Sequence, residues 1–209
     1  MCGGYVRNQI IKSDGGKDID IFINCTPQQL EDLILYLNKY GHTDYGQYGS
    51  PRFHPSLDDE HYVDLVPFYN FVVSQTPVQT INDLLTNFDF TANAIGFNLK
   101  TGDLYDPVGG IKDIQNKILR AVRLDFPERT VSEEINISAV SVFWFRLLHY
   151  KNKLGFTMDD DTEKWIFGNA YRMEDLEMFK RYFFVPLIDD DTFKRITGCL
   201  QQKKSWQTN

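Results

Sequence analysis

Two aspartates one residue apart stand near the start of the 209-residue chain, in the run DIDIFINC from Asp18 to Cys25. The β-branched residues of this run predict a strand, in which Asp18 and Asp20 point to one side with Cα atoms roughly 6.5 to 7 Å apart. Two such carboxylates suit a hard divalent cation, which takes few protein ligands and completes its coordination with water and substrate phosphates. The pair could therefore support metal-assisted phosphoryl transfer. The alternative is a half-exposed strand whose aspartates are only solvated.

A glycine pair, Gly3 and Gly4, precedes the stretch YVRNQIIK, which predicts a short helix over residues 5–12. Backbone N–H groups at such a turn can bind a phosphate, because no side chain stands in the way and a helix start favours anions. Arg7, one turn later, could add a charge-assisted contact. A simple turn is the alternative for a lone glycine pair. The combination of glycine pair, short helix and acidic strand is far less expected by chance than either motif alone.

The remaining elements follow from periodicity and capping signals. A capping threonine, a proline at the first helical position and a terminal glycine predict a helix from Thr26 to Gly41. Other patterns predict a short strand and a loop within 42–60, a strand around Asp64, a helix over 78–87, a hairpin hinged on 100–102, and a helix from 109 whose end near 122 is strand-like. After Pro127 the period is helical, and the DDD clusters at 159–161 and 189–191 are expected to cap helices.

These elements predict an α+β (α/β-like) fold in two parts. Residues 1–128 are expected to form a mixed β-sheet flanked by helices, and residues 129–209 a small all-α bundle.

Composition excludes several classes of protein. The chain has 22 Lys and Arg against 29 Asp and Glu, a net charge of −7, which counts against a large nucleic-acid footprint. Three scattered cysteines offer neither a disulfide framework nor a zinc spacing and fit a reducing cytosol. No stretch approaches the roughly 20 apolar residues that span a bilayer, and the N-terminus has no secretory pattern. We therefore expect a cytoplasmic protein without membrane contact.

Three ordered blocks resemble a known family. GGYVRNQIIKSDGGKDIDIF (3–22) is similar to the opening signature of the nucleotidyltransferase head domain shared by class II CCA-adding tRNA nucleotidyltransferases and bacterial poly(A) polymerases. FDFTANAIGFNLKTGDLYDPVGGIKDIQNKILRAV (88–122) resembles the family's R-R-D-F-T-x-N-A segment and the run after it. FRLLHYKNKLGFTMDDDT (145–162) resembles the helix that ends in K-L-G-F-T-I-D. The resemblance covers roughly residues 3–165, and the order of its blocks makes it specific.

The resemblance implies roles for residues whose spacing alone does not assign them. Gly3, Gly4 and Arg7 would hold a triphosphate, and Asp18 with Asp20 would bind the catalytic Mg²⁺ or Mn²⁺ ions. The wider superfamily has a third acid on a neighbouring strand, for which Asp64 is the candidate; an edge aspartate on a core-facing strand is the alternative, since a buried unpaired carboxylate would need a partner. The remaining matched positions are Asp89, Thr91 and Asn93 of the nucleotide-side motif, and Arg120 and Arg146 at basic positions of the same cleft.

The chain also departs from the family pattern. Asn8 replaces the acidic residue after Arg7, Asn87 and Phe88 replace an arginine pair, and His149 replaces a second arginine. The family's strand before the glycine pair has no counterpart, so the sheet must lose that strand or recruit another. The family's RNA-holding domains also need a longer chain, so this is expected to be a reduced form.

The resemblance implies transfer of a nucleoside monophosphate from a triphosphate, ATP or CTP, to a hydroxyl acceptor. One hypothesis for the acceptor is an RNA or tRNA 3′ end, with a protein partner or a homo-oligomer supplying missing RNA-binding surface. A second is a nucleotide-binding or regulatory module of the same fold that has lost turnover. A third is transfer to a protein or a small molecule. Binding to tRNA at low salt would separate the first from the others.

Overall fold

The computed structural model describes residues 1–13, 16, 18–46, 49–56, 60–71 and 77–207. Contacts divide the chain into two compact units, Met1–Ile114 and Gln115–Asn209. This division runs through a helix that follows the hairpin, whereas the sequence places the change in character near residue 128. The assignment of residues 1–128 and 129–209 to separate domains stays a prediction.

A mixed four-stranded sheet forms the centre of the first unit. Its strand order is β1 (Asp18–Ile23), β4 (Tyr62–Pro67), β3 (Pro51–His54) and β2 (His42–Tyr45). β1 and β4 are parallel, and the other two pairs are antiparallel. The loop-rich region before residue 60 thus holds two strands where one was predicted, and together they extend the sheet beyond the strand of Asp64. The predicted hairpin is β5 (Gly96–Phe97) with β6 (Leu104–Tyr105).

Residues 1 and 2 connect this hairpin to the sheet. Cys2 makes antiparallel bridges with Asp20 on one side and Gly96 on the other. Its N–H donates to the carbonyl of Asp20 at 3.1 Å, and the N–H of Phe97 donates to the carbonyl of Met1 at 2.8 Å. Cys2 therefore pairs with the edge of β1 at Asp20 and links it to β5.

The first four helices lie close to the segments that the sequence predicts as helical. They are α1 (Gly4–Ile11), α2 (Pro27–Leu37), α3 (Ile81–Leu85) and α4 (Gly110–Asn116). α2 begins with a capping box: the Thr26 hydroxyl accepts from the N–H of Gln29, and the Gln29 side chain accepts from the N–H of Thr26. It ends at Leu37, before Gly41. The core beneath these elements is built from fully buried side chains, Leu84, Leu85, Phe90 and Ile95.

The second unit is mainly helical. Its helices are α5 (Ala139–Leu154), α6 (Asp160–Gly168), α7 (Leu176–Tyr182) and α8 (Asp190–Gln207), with a 3₁₀ turn at Ala170–Asp175. Its core includes the fully buried Trp144, whose indole N–H donates to the carbonyl of Ile166 at 2.9 Å. The side chains of Asp159 and Asp189 accept from backbone N–H groups of their helices, so these acidic clusters cap helices as expected.

One short parallel pair departs from the all-α prediction for the C-terminal part. β7 (Ile118–Leu119) pairs with β8 (Thr157–Met158), which lies between α5 and α6. β8 was missed because two residues are too short for any alternation to be visible. Otherwise the predicted α+β class, with a mixed sheet followed by helices, is confirmed. None of the helices in the described part of the chain is long and apolar enough to cross a membrane.

Candidate active site

Three aspartates share one face of the central sheet. Asp18 and Asp20 alternate along β1, and the parallel register places Asp20 beside Asp64 of β4. Paired residues of neighbouring strands point to the same side, with strands roughly 4.8 Å apart. The structure therefore brings together all three residues proposed as catalytic, and Asp64 is a direct neighbour of Asp20.

Two further side chains on this face contact the acids. Nε of Arg52, which pairs with Asp64 in the β3–β4 register, donates to Oδ1 of Asp64 at 3.1 Å. Partial burial raises the pKa of Asp64, and it does so by more than the hydrogen bond and charge of Arg52 lower it. Burial and a hydrogen bond to Asp18 raise the pKa of Tyr62 to about 12, so this phenol stays protonated and donates to the Asp18 carboxylate. The half-buried carboxylate of Asp64 thus has a partner, as the sequence argument required.

The glycine turn packs against the acidic pair. Gly3 has φ 80° and ψ −145°, a conformation that side chains avoid, and caps α1. A Cβ atom placed on Gly3 would lie 3.2 Å from Oδ2 of Asp20 and 3.8 Å from the ring of Phe88. The N–H of Gly3 donates to the carbonyl of Ile95 at 3.3 Å, so this group is used by the fold. Gly4 opens the helix one residue later, at the same end of α1.

Arg7 points into the first unit and is only 3% exposed. Its Nε and Nη2 donate to Oδ1 of Asn8 at 3.1 and 2.9 Å, and its Nη1 donates to Oδ1 of Asn93. The amide of Asn93 donates in turn to Asp89 at 3.3 Å. The structure therefore joins Arg7, Asn93 and Asp89 in one polar network, and Asn8 keeps a contact with Arg7 although it replaces an acid. The role of Arg7 toward a triphosphate stays a prediction.

The side chain of Thr91 lies in the interior of the first unit. It is fully buried, and its hydroxyl donates to Oδ2 of Asp113 at 2.6 Å. A Cβ atom on Gly110 would lie 2.0 Å from the carbonyl of Thr91, so only glycine allows α4 to approach this closely. Side-chain burial leaves Thr91 no exposed hydroxyl for a ligand.

The two remaining candidates belong to the second unit. Arg120 follows β7, and Arg146 lies on α5 with its guanidinium 5.3 Å from the ring centroid of Tyr150. Both side chains are half-buried. Their predicted place in the nucleotide cleft stays a prediction.

Donor chemistry on the acidic face fits a hard divalent cation, because Asp18 and Asp20 offer carboxylate oxygens from alternate positions of β1. Within residues 1–13, 16, 18–46, 49–56, 60–71 and 77–207, no group of three or more His, Cys, Asp or Glu residues is placed to hold a metal ion. Since Arg52 binds Asp64, the pair that fits best is Asp18 with Asp20, the residues that the sequence proposed as ligands. Metal binding at this pair stays a proposal.

Sequence reasoning missed Arg52, Tyr62 and an aromatic cluster at this face. The rings of Phe22, Phe71 and Phe88 lie 5.6 to 5.8 Å apart, and Phe22 is the next residue on the same side of β1 after Asp20. The alternation Asp18, Asp20, Phe22 could have revealed the last. No local signal could have found Arg52, because the sequence predicts a short strand and a loop within 42–60 but not the register that pairs Arg52 with Asp64.

A glycine turn against a carboxylate pair on a mixed sheet is the arrangement that the resemblance to the nucleotidyltransferase head implies. Residues 51–120 match the model of the Poly A polymerase head domain. The Multifunctional CCA protein of Stenotrophomonas maltophilia strain K279a is 29% identical over 168 residues, which cover 78% of this chain and 38% of the relative. These matches confirm the resemblance to the head domain of class II CCA-adding enzymes and bacterial poly(A) polymerases.

Solved structures agree on the fold. A complex of CCA-adding enzyme with CTP has a TM-score of 0.65 at 18% identity, covering 95% of this chain and 46% of that chain. A tRNA nucleotidyltransferase complexed with a primer tRNA and an incoming ATP analog has a TM-score of 0.61 at 18% identity, covering 99% of this chain and 56% of that chain. This chain spans about two fifths of the length of the curated relative and about half of those structures.

Proposed function

We propose that this protein is a metal-dependent nucleotidyltransferase that moves a nucleoside monophosphate from ATP or CTP to the 3′ hydroxyl of an RNA, with tRNA as the first candidate. The observation that carries the proposal is the contact of Gly3 with Asp20, on the sheet face that also holds Asp18 and Asp64. A phosphate at the glycine turn would lie beside the two carboxylates. That juxtaposition is what phosphoryl transfer requires.

Each of the site residues would have a separate role in the transfer. Asp18 and Asp20 would hold Mg²⁺ or Mn²⁺, which supplies Lewis-acid stabilisation of phosphate charge when bound. The turn at Gly3 and Gly4 would leave room for the triphosphate, because no side chain projects there. The acceptor hydroxyl would attack the α-phosphorus, and pyrophosphate would leave as the bond to the β-phosphate oxygen breaks. Side chains would mainly position the reactants.

The acceptor is proposed from the relatives. The names of those proteins describe CCA addition and complexes with tRNA, CTP and an ATP analog. The net charge of −7 agrees with a small RNA footprint on the chain itself, so we propose that a protein partner or a second copy supplies further RNA-binding surface. We propose that the reaction takes place in the cytoplasm, because three scattered cysteines fit a reducing compartment.

The test is transfer of label from each α-labelled nucleoside triphosphate to total RNA, with Mg²⁺ or Mn²⁺. Asp18→Asn and Asp20→Asn should each abolish transfer while the folded state persists, because they remove a charge without changing shape. Retained turnover in either variant would refute its assignment. If the wild type binds triphosphate but labels neither RNA nor protein nor small molecules, the chain is a nucleotide-binding module.

A further inference from the structure

Arg52 is held in a defined position on the acidic face. Its Nε donates to Asp64, and its guanidinium carbon lies 4.0 Å from the ring centroid of Tyr62. The opposite neighbour in the β2–β3 register, Asp44, lies 3.3 Å from Nε2 of His54. Stacking on a tyrosine ring and one fixed hydrogen bond together restrict the rotation of a guanidinium.

This arrangement leaves the outer part of the guanidinium for a ligand. Within the described residues, only Nε of Arg52 makes a hydrogen bond, so Nη1 and Nη2 keep their donors. The side chain is 28% exposed. A planar fork with two neighbouring N–H groups is suited to bidentate binding of phosphate oxygens.

Arg7 cannot present its charge in the same way. It is 3% exposed, and both of its Nη atoms donate to asparagine side chains. Arg52, in contrast, stands one strand from Asp64 and two strands from Asp20 on one sheet face. Two strand spacings are roughly 10 Å, a distance that an arginine side chain and a phosphate group can bridge.

We propose that Arg52 binds a phosphate group of the substrate, either of the nucleoside triphosphate or of the RNA next to its 3′ end, and that Asp64 positions it. The inference rests on the proposed function and adds a binding residue to the same site. Asp64 then serves as the anchor of Arg52, which agrees with the absence of a three-acid metal cluster among the described residues. Asp18 and Asp20 remain for the metal.

The experiment measures equilibrium binding of ATP, CTP and total tRNA to the wild-type chain, with Ca²⁺ in place of Mg²⁺ to prevent turnover. Arg52→Gln should lower the affinity for one of the two ligand types, triphosphate or tRNA, about 10- to 100-fold, which is the range for a charged hydrogen bond. Loss of triphosphate binding identifies the triphosphate as the source of the phosphate, and loss of tRNA binding identifies the acceptor. Arg52→Lys, which keeps the charge without the fork, should recover part of the loss.

A double variant separates phosphate binding from a structural role. If the only role of Arg52 is to neutralise the charge of Asp64, then the double variant Arg52→Gln/Asp64→Asn, which lacks both charges, should bind the ligand as tightly as the wild type. If Arg52 contacts phosphate, the double variant stays as weak as Arg52→Gln. The matched control is Arg195→Gln, which removes an exposed arginine paired with Glu163 at 3.0 Å in the second unit and should leave binding unchanged.

Three outcomes would overturn the inference. One is wild-type affinity of Arg52→Gln for both ligand types, and another is full rescue by the double variant. In either case the proposed function survives if the wild type still transfers label. The third is a wild-type chain that binds neither triphosphate nor tRNA, which overturns the proposed function as well. A wild type that binds but never transfers refutes the function alone.

Discussion

Replacement of Gly3 by alanine tests whether the glycine turn and the acidic pair form one site. At φ 80° and ψ −145°, a side chain strains the backbone by about 1–3 kcal/mol. The new methyl would also lie 3.2 Å from Oδ2 of Asp20, so that carboxylate must move by a few tenths of an ångström. We therefore expect a stability loss of about 1–3 kcal/mol and, because transfer depends on placement, at least a roughly tenfold loss of rate.

Gly102 provides the matched control. It has φ 78°, and a Cβ atom there would meet nothing within 4 Å. Gly102→Ala should therefore lose stability through backbone strain but keep its transfer rate. Denaturant unfolding measures the first quantity, and label transfer under conditions where both variants are folded measures the second. A folded Gly3→Ala chain that transfers at the wild-type rate would refute the placement of the turn at the reacting centre.

The other predictions concern the two folded units. Thr91→Val keeps the side-chain shape but removes the hydroxyl that donates to buried Asp113, so the free energy of unfolding measured with denaturant should fall by about 1–3 kcal/mol. An unchanged free energy of unfolding would contradict a stabilising role for this hydrogen bond. Partial burial and nearby cations lower the pKa of His149 to about 4, so the unfolded state binds more protons between pH 4 and 6.5 and stability should rise with pH there. Allowing for its exposure, the rise is roughly 1–2 kcal/mol. His149→Asn, which can still accept from Leu187, should flatten this rise, and an unchanged slope would exclude His149 as its origin.

Local patterns predicted the elements because each depends on residues close in sequence. The capping box of Thr26 and Gln29 spans three residues, and the alternation of Asp18 and Asp20 spans two. The same alternation put both aspartates on one face before any partner strand was known. Asp64 was assigned through the resemblance, and the register then placed it beside Asp20.

The remaining features depend on pairs far apart in the chain. The buried Arg7 side chain donates a hydrogen bond to Asn93, 86 residues away, and no periodicity encodes that distance. Arg52 became visible as a site residue only when β3 paired with β4, because its partner is set by register and not by spacing. The motifs thus indicated a candidate site, but they could not tell which arginine faces it.

Cys2 gives this fold a built-in chemical reporter. Burial raises the pKa of its thiol to about 11, so hardly any reactive thiolate exists near neutral pH. Cys2 lies between β1 and β5, and its Sγ is 3.3 Å from the position of a Cβ atom built on Gly96. The rate at which Cys2 is alkylated would therefore measure how often the pairing of residue 2 with β1 and β5 opens next to Asp20. The half-buried Cys25 provides a reference rate in the same chain.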